Sequence, residues 1–154
     1  MPREEWDGLL RGRKCPLCQQ MDARMVTDHV DAYGRTITPL GVSVLRLCAD
    51  QFTAGYCLVI STRHVAEPYE LPEHEQGVFL ADIMRAGRAV QLALGAAKMN
   101  YLILGNEQPH LHCHLIPRYY GDSAPGRPLL PGDHPVPVDA DTFAQRVDLI
   151  RAAL

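Results

Sequence analysis

Three histidines at alternate positions, His110, His112 and His114, are the residues of this sequence best arranged for chemistry. An extended chain turns successive side chains to opposite faces, so on a strand these imidazoles share one face. Leu111, Cys113 and Leu115 take the other, which is apolar and suits a core. A lone strand histidine is most often a satisfied packing residue, but three in a row are not what packing selects, because each buried ring needs hydrogen-bond partners and titrates near neutrality. Two chemistries fit. Neutral imidazole is a common zinc ligand, so the three rings can hold a catalytic ion. Alternatively, one ring attacks as a nucleophile while another handles protons. Arg118 follows shortly after and offers a planar fork better matched to phosphate than to a metal; a surface ion pair is its competing role.

Other residues add to this group. Cys15-Pro16-Leu17-Cys18 reads either as a zinc knuckle or as an inert turn. Asn106 and Gln108 lie in the turn before the histidines, and Asp50, just before Gln51 and Phe52, can cap a turn. His74 reads as merely solvated.

The elements that must carry these residues follow from periodicity and punctuation. A short helix is expected around Trp6 to Leu10, and strands at Met25 to Ala32, Val42 to Cys48, Tyr56 to Ile60, Tyr101 to Leu104 and Leu111 to Ile116. Residues 34–41 read as turn-rich. A long helix from Pro72 to Ala97 starts with a proline and Glu73 and Glu75 at the positive end of its dipole. Its apolar stripe is read through Val78, Ala81, Ile83, Met84, Ala86, Val90 and Leu94. Residues 121–138 hold five Pro and three Gly and read as an extended loop. Asp139 or Asp141 then caps a final amphipathic helix. Strands, one long helix and more strands, without regular βαβ alternation, favour an α+β fold with an antiparallel sheet covered on one face by the helix.

The totals set bounds. At 154 residues the chain has one domain's length. A net charge of −3 argues against a broad basic surface for a nucleic acid polymer. No apolar run reaches the ~20 residues of a membrane span, and the polar start lacks a signal-peptide core, so a cytoplasmic protein is expected. Five cysteines, an odd number without a repeated framework, argue against structural disulfides there.

The stretch from Asn106 to Tyr119, NEQPHLHCHLIPRY, resembles the signature of the histidine-triad (HIT) family: three histidines separated by single hydrophobic residues, followed by Pro-Arg. Gly55 to Val65, GYCLVISTRHV, is similar to the family's strand leading into an Arg-His element. Cys15 and Cys18 match a cysteine pair that many bacterial members carry. The resemblance implies a single domain over residues 1–154, with a core at about 15–120, a sheet of about five strands, one long helix and a C-terminal helix. It implies that His112 attacks the α-phosphorus of a nucleotide, that a main-chain carbonyl at His110 holds its far nitrogen, and that His114 contacts the phosphate and leaving group. A nucleoside monophosphate is then released from a nucleotidyl-histidine. A histidine at the third position favours hydrolysis over transfer. A nucleotidyltransferase and a nucleotide-binding adaptor remain the alternatives. The resemblance further implies structural zinc on Cys15, Cys18, His64 and His110, and a homodimer. Where many members carry His after the glycine, this chain has Tyr56, and the longer glycine-rich phosphate loop seen before the triad in some branches is absent, only Glu107, Gln108 and Pro109 separating Asn106 from His110. The resemblance then makes Asn106 and Gln108 candidate phosphate contacts and Asp50 a candidate acceptor for the ribose hydroxyls, a role it holds equally with capping a turn.

Overall fold

The computed structural model describes residues 1–18 and 28–154. Six strands form one antiparallel sheet in the order β1-β2-β3-β4-β6-β5: β1 (Val30–Asp31), β2 (Gly34–Pro39), β3 (Ser43–Cys48), β4 (Cys57–Ser61), β5 (Lys98–Leu102) and β6 (His112–Arg118). Helix α1 (Arg3–Leu10) precedes the sheet, α2 (Glu73–Leu94) joins β4 to β5, and α3 (Ala140–Ala152) closes the chain. The architecture is the α+β arrangement expected from the order of elements, with one strand more than anticipated. Residues 25–27 of the expected first strand lie outside the described residues; β1 is its C-terminal end.

The turn-rich reading of residues 34–41 is corrected. Thr36, Ile37 and Thr38 are β-branched; Thr36 pairs with Arg46 and Thr38 with Leu45 of β3, Ile37 lies at the register shift between them, and Thr36 and Ile37 are wholly buried. Gly34 and Pro39 bound that strand rather than break it. The stripe of α2 is also rotated from expectation. Phe79, Ile83, Ala86 and Val90 are buried at helical spacing, while Val78 and Met84 point outward. Val78 and Met84 are apolar by type, but the true stripe runs through Phe79. Asp139 caps α3, its carboxylate accepting from Thr142 N at 2.9 Å.

The sheet has two unlike faces. Leu45, Leu47, Val59, Cys57, Cys113 and Leu115 face the two long helices and form the main core with Phe79, Ile83, Val147 and Ile150. The opposite face carries Val44, Arg46 and Cys48 from β3, Leu58 and Ile60 from β4, and His112, His114 and Ile116 from β6. Pairing across the strands sets Arg46 opposite Leu58, and Leu58 opposite His114; Ile60 stands opposite His112. Alternation along β6 thus sends cysteine and leucine inward and histidines outward.

Candidate active site and metal centre

His112 and His114 project from β6, and His110 lies just before it. The three rings are held by partners of different kinds. His112 Nδ1 lies 2.6 Å from the carbonyl oxygen of His110. A carbonyl only accepts, so Nδ1 carries the proton and Nε2 keeps its lone pair. Burial lowers the affinity of this ring for a proton, against the raising effect of the His110 carbonyl. The arrangement is that of an imidazole kept neutral and presenting one nucleophilic nitrogen.

His114 Nδ1 lies 2.7 Å from the hydroxyl of Tyr56, a residue immediately before β4. The Tyr56 and His114 rings lie nearly parallel, with centroids 5.9 Å apart. The His112 and His114 rings meet edge to face at 4.9 Å. Burial, with His112 alongside, pushes His114 down to about 4.

His110 is 1% exposed and faces a third environment. Its Nε2 donates to the carbonyl of Ser61 at 2.9 Å, leaving Nδ1 unprotonated. That Nδ1 lies 3.5 Å from Cys15 Sγ, 3.4 Å from Cys18 Sγ and 3.3 Å from His64 Nδ1. His64 Nδ1 lies 3.2 Å from Cys18 Sγ, and its Nε2 donates to the carbonyl of Leu10 at 3.1 Å. The four ligand atoms all fall within 4.8 Å of one another. Both histidines aim a lone pair at the centre and anchor the far nitrogen to a carbonyl, the support that metal-ligating histidines ordinarily have. Burial and Cys15 push the Cys18 thiol up to about 11, the response of closely set thiols without a counter-charge. These four residues can hold a metal ion. Arg63, adjacent to His64, makes a two-pronged ion pair with Glu75 at the start of α2, at 2.6 and 2.7 Å.

A cleft of about 540 Å³ opens on the same sheet face, bordered by Arg46, Cys48, Asp50, Tyr56, Leu58 and Gln108. Gln108 Oε1 and Arg46 Nη1 are buried there without a hydrogen-bond partner among the described residues. Arg46 is otherwise fixed by Asp31 at 2.8 Å and the carbonyl of Gly34 at 3.1 Å. Asp50 borders the cleft, but its Oδ1 also accepts from Phe52 N and Val136 N, so the turn-capping role is realised. Asn106 is exposed and borders a different depression, with Met1, Arg3 and Trp6. Arg118 is spent: it pairs with Asp122 at 2.6 and 2.9 Å and donates to Asn100 Oδ1 and to the carbonyls of Arg127 and Ala124. Of the two roles left open for Arg118, the ion pair fills its donors. Sequence reasoning passed over Arg46. A lone arginine among the apolar residues of β3 was the available signal, since such a charge is buried only with partners.

The sheet, the long helix and the outward histidines define the class of protein, and comparison gives its family. The chain belongs to the HIT domain family, whose profile matches residues 34–121. It is similar in structure to a histidine triad protein of Sinorhizobium meliloti (25% identity over 84% of this chain and 99% of that one, TM-score 0.74). A histidine triad protein of Bradyrhizobium japonicum is equally close (26% identity, 82% and 98% covered, TM-score 0.72). The fold is shared with a zinc-bound histidine triad family protein of Mycobacterium smegmatis (23% identity, 91% and 92% covered, TM-score 0.64). No curated protein matches the chain significantly.

Proposed function

We propose that this protein is a nucleotide hydrolase that works through a nucleotidyl-histidine on His112. The observation that carries the reading is the 2.6 Å hydrogen bond from His112 Nδ1 to the His110 carbonyl, which leaves Nε2 as a neutral nucleophile. Nε2 forms a bond to the α-phosphorus, and the bond from phosphorus to the leaving group breaks with its electron pair. Water then displaces the imidazole and releases a nucleoside monophosphate. Splitting one displacement into two is the gain of covalent catalysis. His114 contacts the phosphate and the leaving group, and His110 supports His112 through its carbonyl. The nucleoside occupies the cleft: Arg46 and His114 stand two strands apart, about 10 Å, a distance suited to a base joined through ribose to an α-phosphate. Gln108, whose Oε1 has no partner among the described residues, and Asp50 border that path. Asn106 and Arg118 are assigned no contact there. Dinucleoside polyphosphates and nucleoside phosphoramidates both present the required phosphorus.

The rival arrangement, a catalytic ion held by all three triad rings, has the geometry against it. His110 directs Nδ1 to the cysteines, and His112 Nδ1 is occupied by a carbonyl. Structural zinc on Cys15, Cys18, His64 and His110 is the better reading. Tetrahedral zinc sets edges of about 3.3 Å between nitrogens and about 3.5 Å between nitrogen and sulfur; here the two nitrogens are 3.3 Å apart, Cys18 Sγ is 3.2 and 3.4 Å from them and Cys15 Sγ is 3.5 Å from that of His110, with all four atoms within 4.8 Å. Four protein ligands leave no open position, so zinc supplies cohesion rather than a reacting group. The Mycobacterium smegmatis relative is zinc-bound. The whole chain acts as one cytoplasmic unit; no helix among the described residues is long and apolar enough to cross a membrane. It works as a homodimer, with the outer edge of β5, unpaired among the described residues, and exposed Tyr101, Ile103 and Leu104 as the joined surface. Sedimentation at a monomer's mass would remove that part.

The test is mass spectrometry of the protein quenched during turnover of an adenosine phosphoramidate and of diadenosine tetraphosphate. The expected result is an adenylyl adduct on the peptide containing His112, absent from His112→Ala together with AMP release. Binding without adduct or AMP in the unmodified protein would instead support an adaptor. Transfer of the adenylyl group to an added phosphate acceptor, outpacing water, would support a transferase.

A further inference from the structure

We propose that Tyr56 is a positioning residue: its hydroxyl donates to His114 Nδ1 and thereby fixes the proton of that ring on Nε2. The inference rests on the reading that an α-phosphate lies at His112. Four observations support it.

The first is the contact itself. The Tyr56 hydroxyl lies 2.7 Å from His114 Nδ1, within hydrogen-bond distance. The second is the lack of a better acceptor. Among the described residues His114 Nδ1 is the nitrogen or oxygen within hydrogen-bond distance of the Tyr56 hydroxyl, and the nearby Cys48 thiol accepts only weakly. The third is rigidity. Tyr56 is buried, edge-to-face with Phe52 at 4.8 Å and parallel to His114, and its backbone carbonyl accepts from Cys48 N and Gln51 Nε2. A donor so fixed holds the ring it bonds. The fourth is charge. Burial raises the Tyr56 phenol and lowers His114, so both partners are neutral near pH 7 and the phenol keeps its proton to give.

The two strand histidines are thereby held in opposite tautomers by opposite partners. A carbonyl, which only accepts, puts the proton of His112 on Nδ1 and frees Nε2 to attack. A phenol, which donates, puts the proton of His114 on Nε2. Toward an anionic phosphoryl group the second choice decides the sign of the interaction. Nε2–H attracts the oxygens, whereas a lone pair at that atom repels them. The residue that departs from the family's usual histidine is thus the one that sets which kind of group His114 is.

The experiment combines ring-nitrogen NMR of histidine-labelled protein with steady-state hydrolysis of adenosine phosphoramidate, for the unmodified protein and Tyr56→Phe. Phenylalanine keeps both ring contacts and removes only the hydroxyl. The unmodified protein is expected to show His114 with a protonated Nε2 and a bare Nδ1. Tyr56→Phe is expected to show a mixture of tautomers at His114, kcat lowered about tenfold to a hundredfold and KM within about threefold. His114 protonated on Nδ1 in the unmodified protein overturns the proposal, as does a folded Tyr56→Phe variant with an unchanged tautomer or unchanged kcat. Should the unmodified protein form no adduct on His112 and release no AMP, the hydrolase reading fails, while the ring spectra still decide the tautomer.

Discussion

At the scale of single residues, the site is a set of neutral rings maintained by burial. His114 is pushed down to about 4, whereas an unfolded histidine titrates near 6.5. Between those values the unfolded chain binds a proton that the folded protein refuses. Stability contributed by the neutral ring is therefore complete above about pH 7 and drains away as the pH falls from 6.5 toward 4. Urea unfolding at pH 7.5 and pH 5 reads this directly. The loss of stability between the two should shrink by about 2 kcal/mol in His114→Gln, which cannot titrate. An unchanged loss would show that His114 is protonated in the fold. The candidate residues differ in how much of this a sequence displays. The triad and the cysteine pair announce themselves by spacing. The partner of His114 does not, because Tyr56 lies 58 positions away and meets it only through the pairing of β4 with β6. Arg118 looked available because nothing in a linear string tells that Asp122, Asn100 and two carbonyls converge on it.

At the scale of elements, the site depends on how closely β4 can approach α2. Gly55 sits at φ +81°, and a β-carbon there would push against the flexible end of Leu94 and come 3.3 Å from Val90 Cγ1. The left-handed backbone demands glycine, and the crowding against α2 adds to the strain of any larger residue. Gly55→Ala should cost about 1 to 3 kcal/mol and displace Tyr56. Thermal unfolding together with the Tyr56-dependent tautomer of His114 would reveal both effects, and an unperturbed melting temperature would refute the argument. Asp82, near the middle of the same helix, ties it to the sheet, accepting from Gly41 N, Val42 N and Ser43 Oγ at 3.0, 2.9 and 2.7 Å. Strong period-two and helical patterns made β3, β4, β6 and α2 legible from sequence. β2 was hidden because its threonines carry a weak apolar signal and it is bounded by glycine and proline. The rotation of the α2 stripe was hidden because apolar residues lie on several of its faces: Leu80, Met84 and Leu92 are exposed although apolar.

At the scale of the whole molecule, the four-ligand cluster binds three distant parts of the chain. Cys15 and Cys18 come from the N-terminal segment, His64 from the turn after β4 and His110 from the approach to β6. The carbonyl of Leu10, the last residue of α1, is bonded to His64 as well. A resident zinc should therefore raise global stability, since ions that bind only the folded chain act by mass action. Elemental analysis of protein purified without added metal should find about one zinc per chain, and a chelator should lower the melting temperature. Cys18→Ser, which removes one thiolate and leaves the triad intact, should show the lowered melting temperature without chelator. A fully stable, metal-free protein would dismiss the zinc.

His110 belongs to both centres at once. Its ring faces the cysteines while its carbonyl holds the attacking imidazole two residues on. A genetic screen that replaces each triad member in turn would score His110 as chemically essential for reasons of architecture. An alanine at that position keeps the carbonyl yet unmoors the segment bearing it. His112, whose ring hydrogen-bonds a main-chain oxygen and meets a neighbouring histidine among the described residues, is the position at which a loss of turnover reports most directly on chemistry.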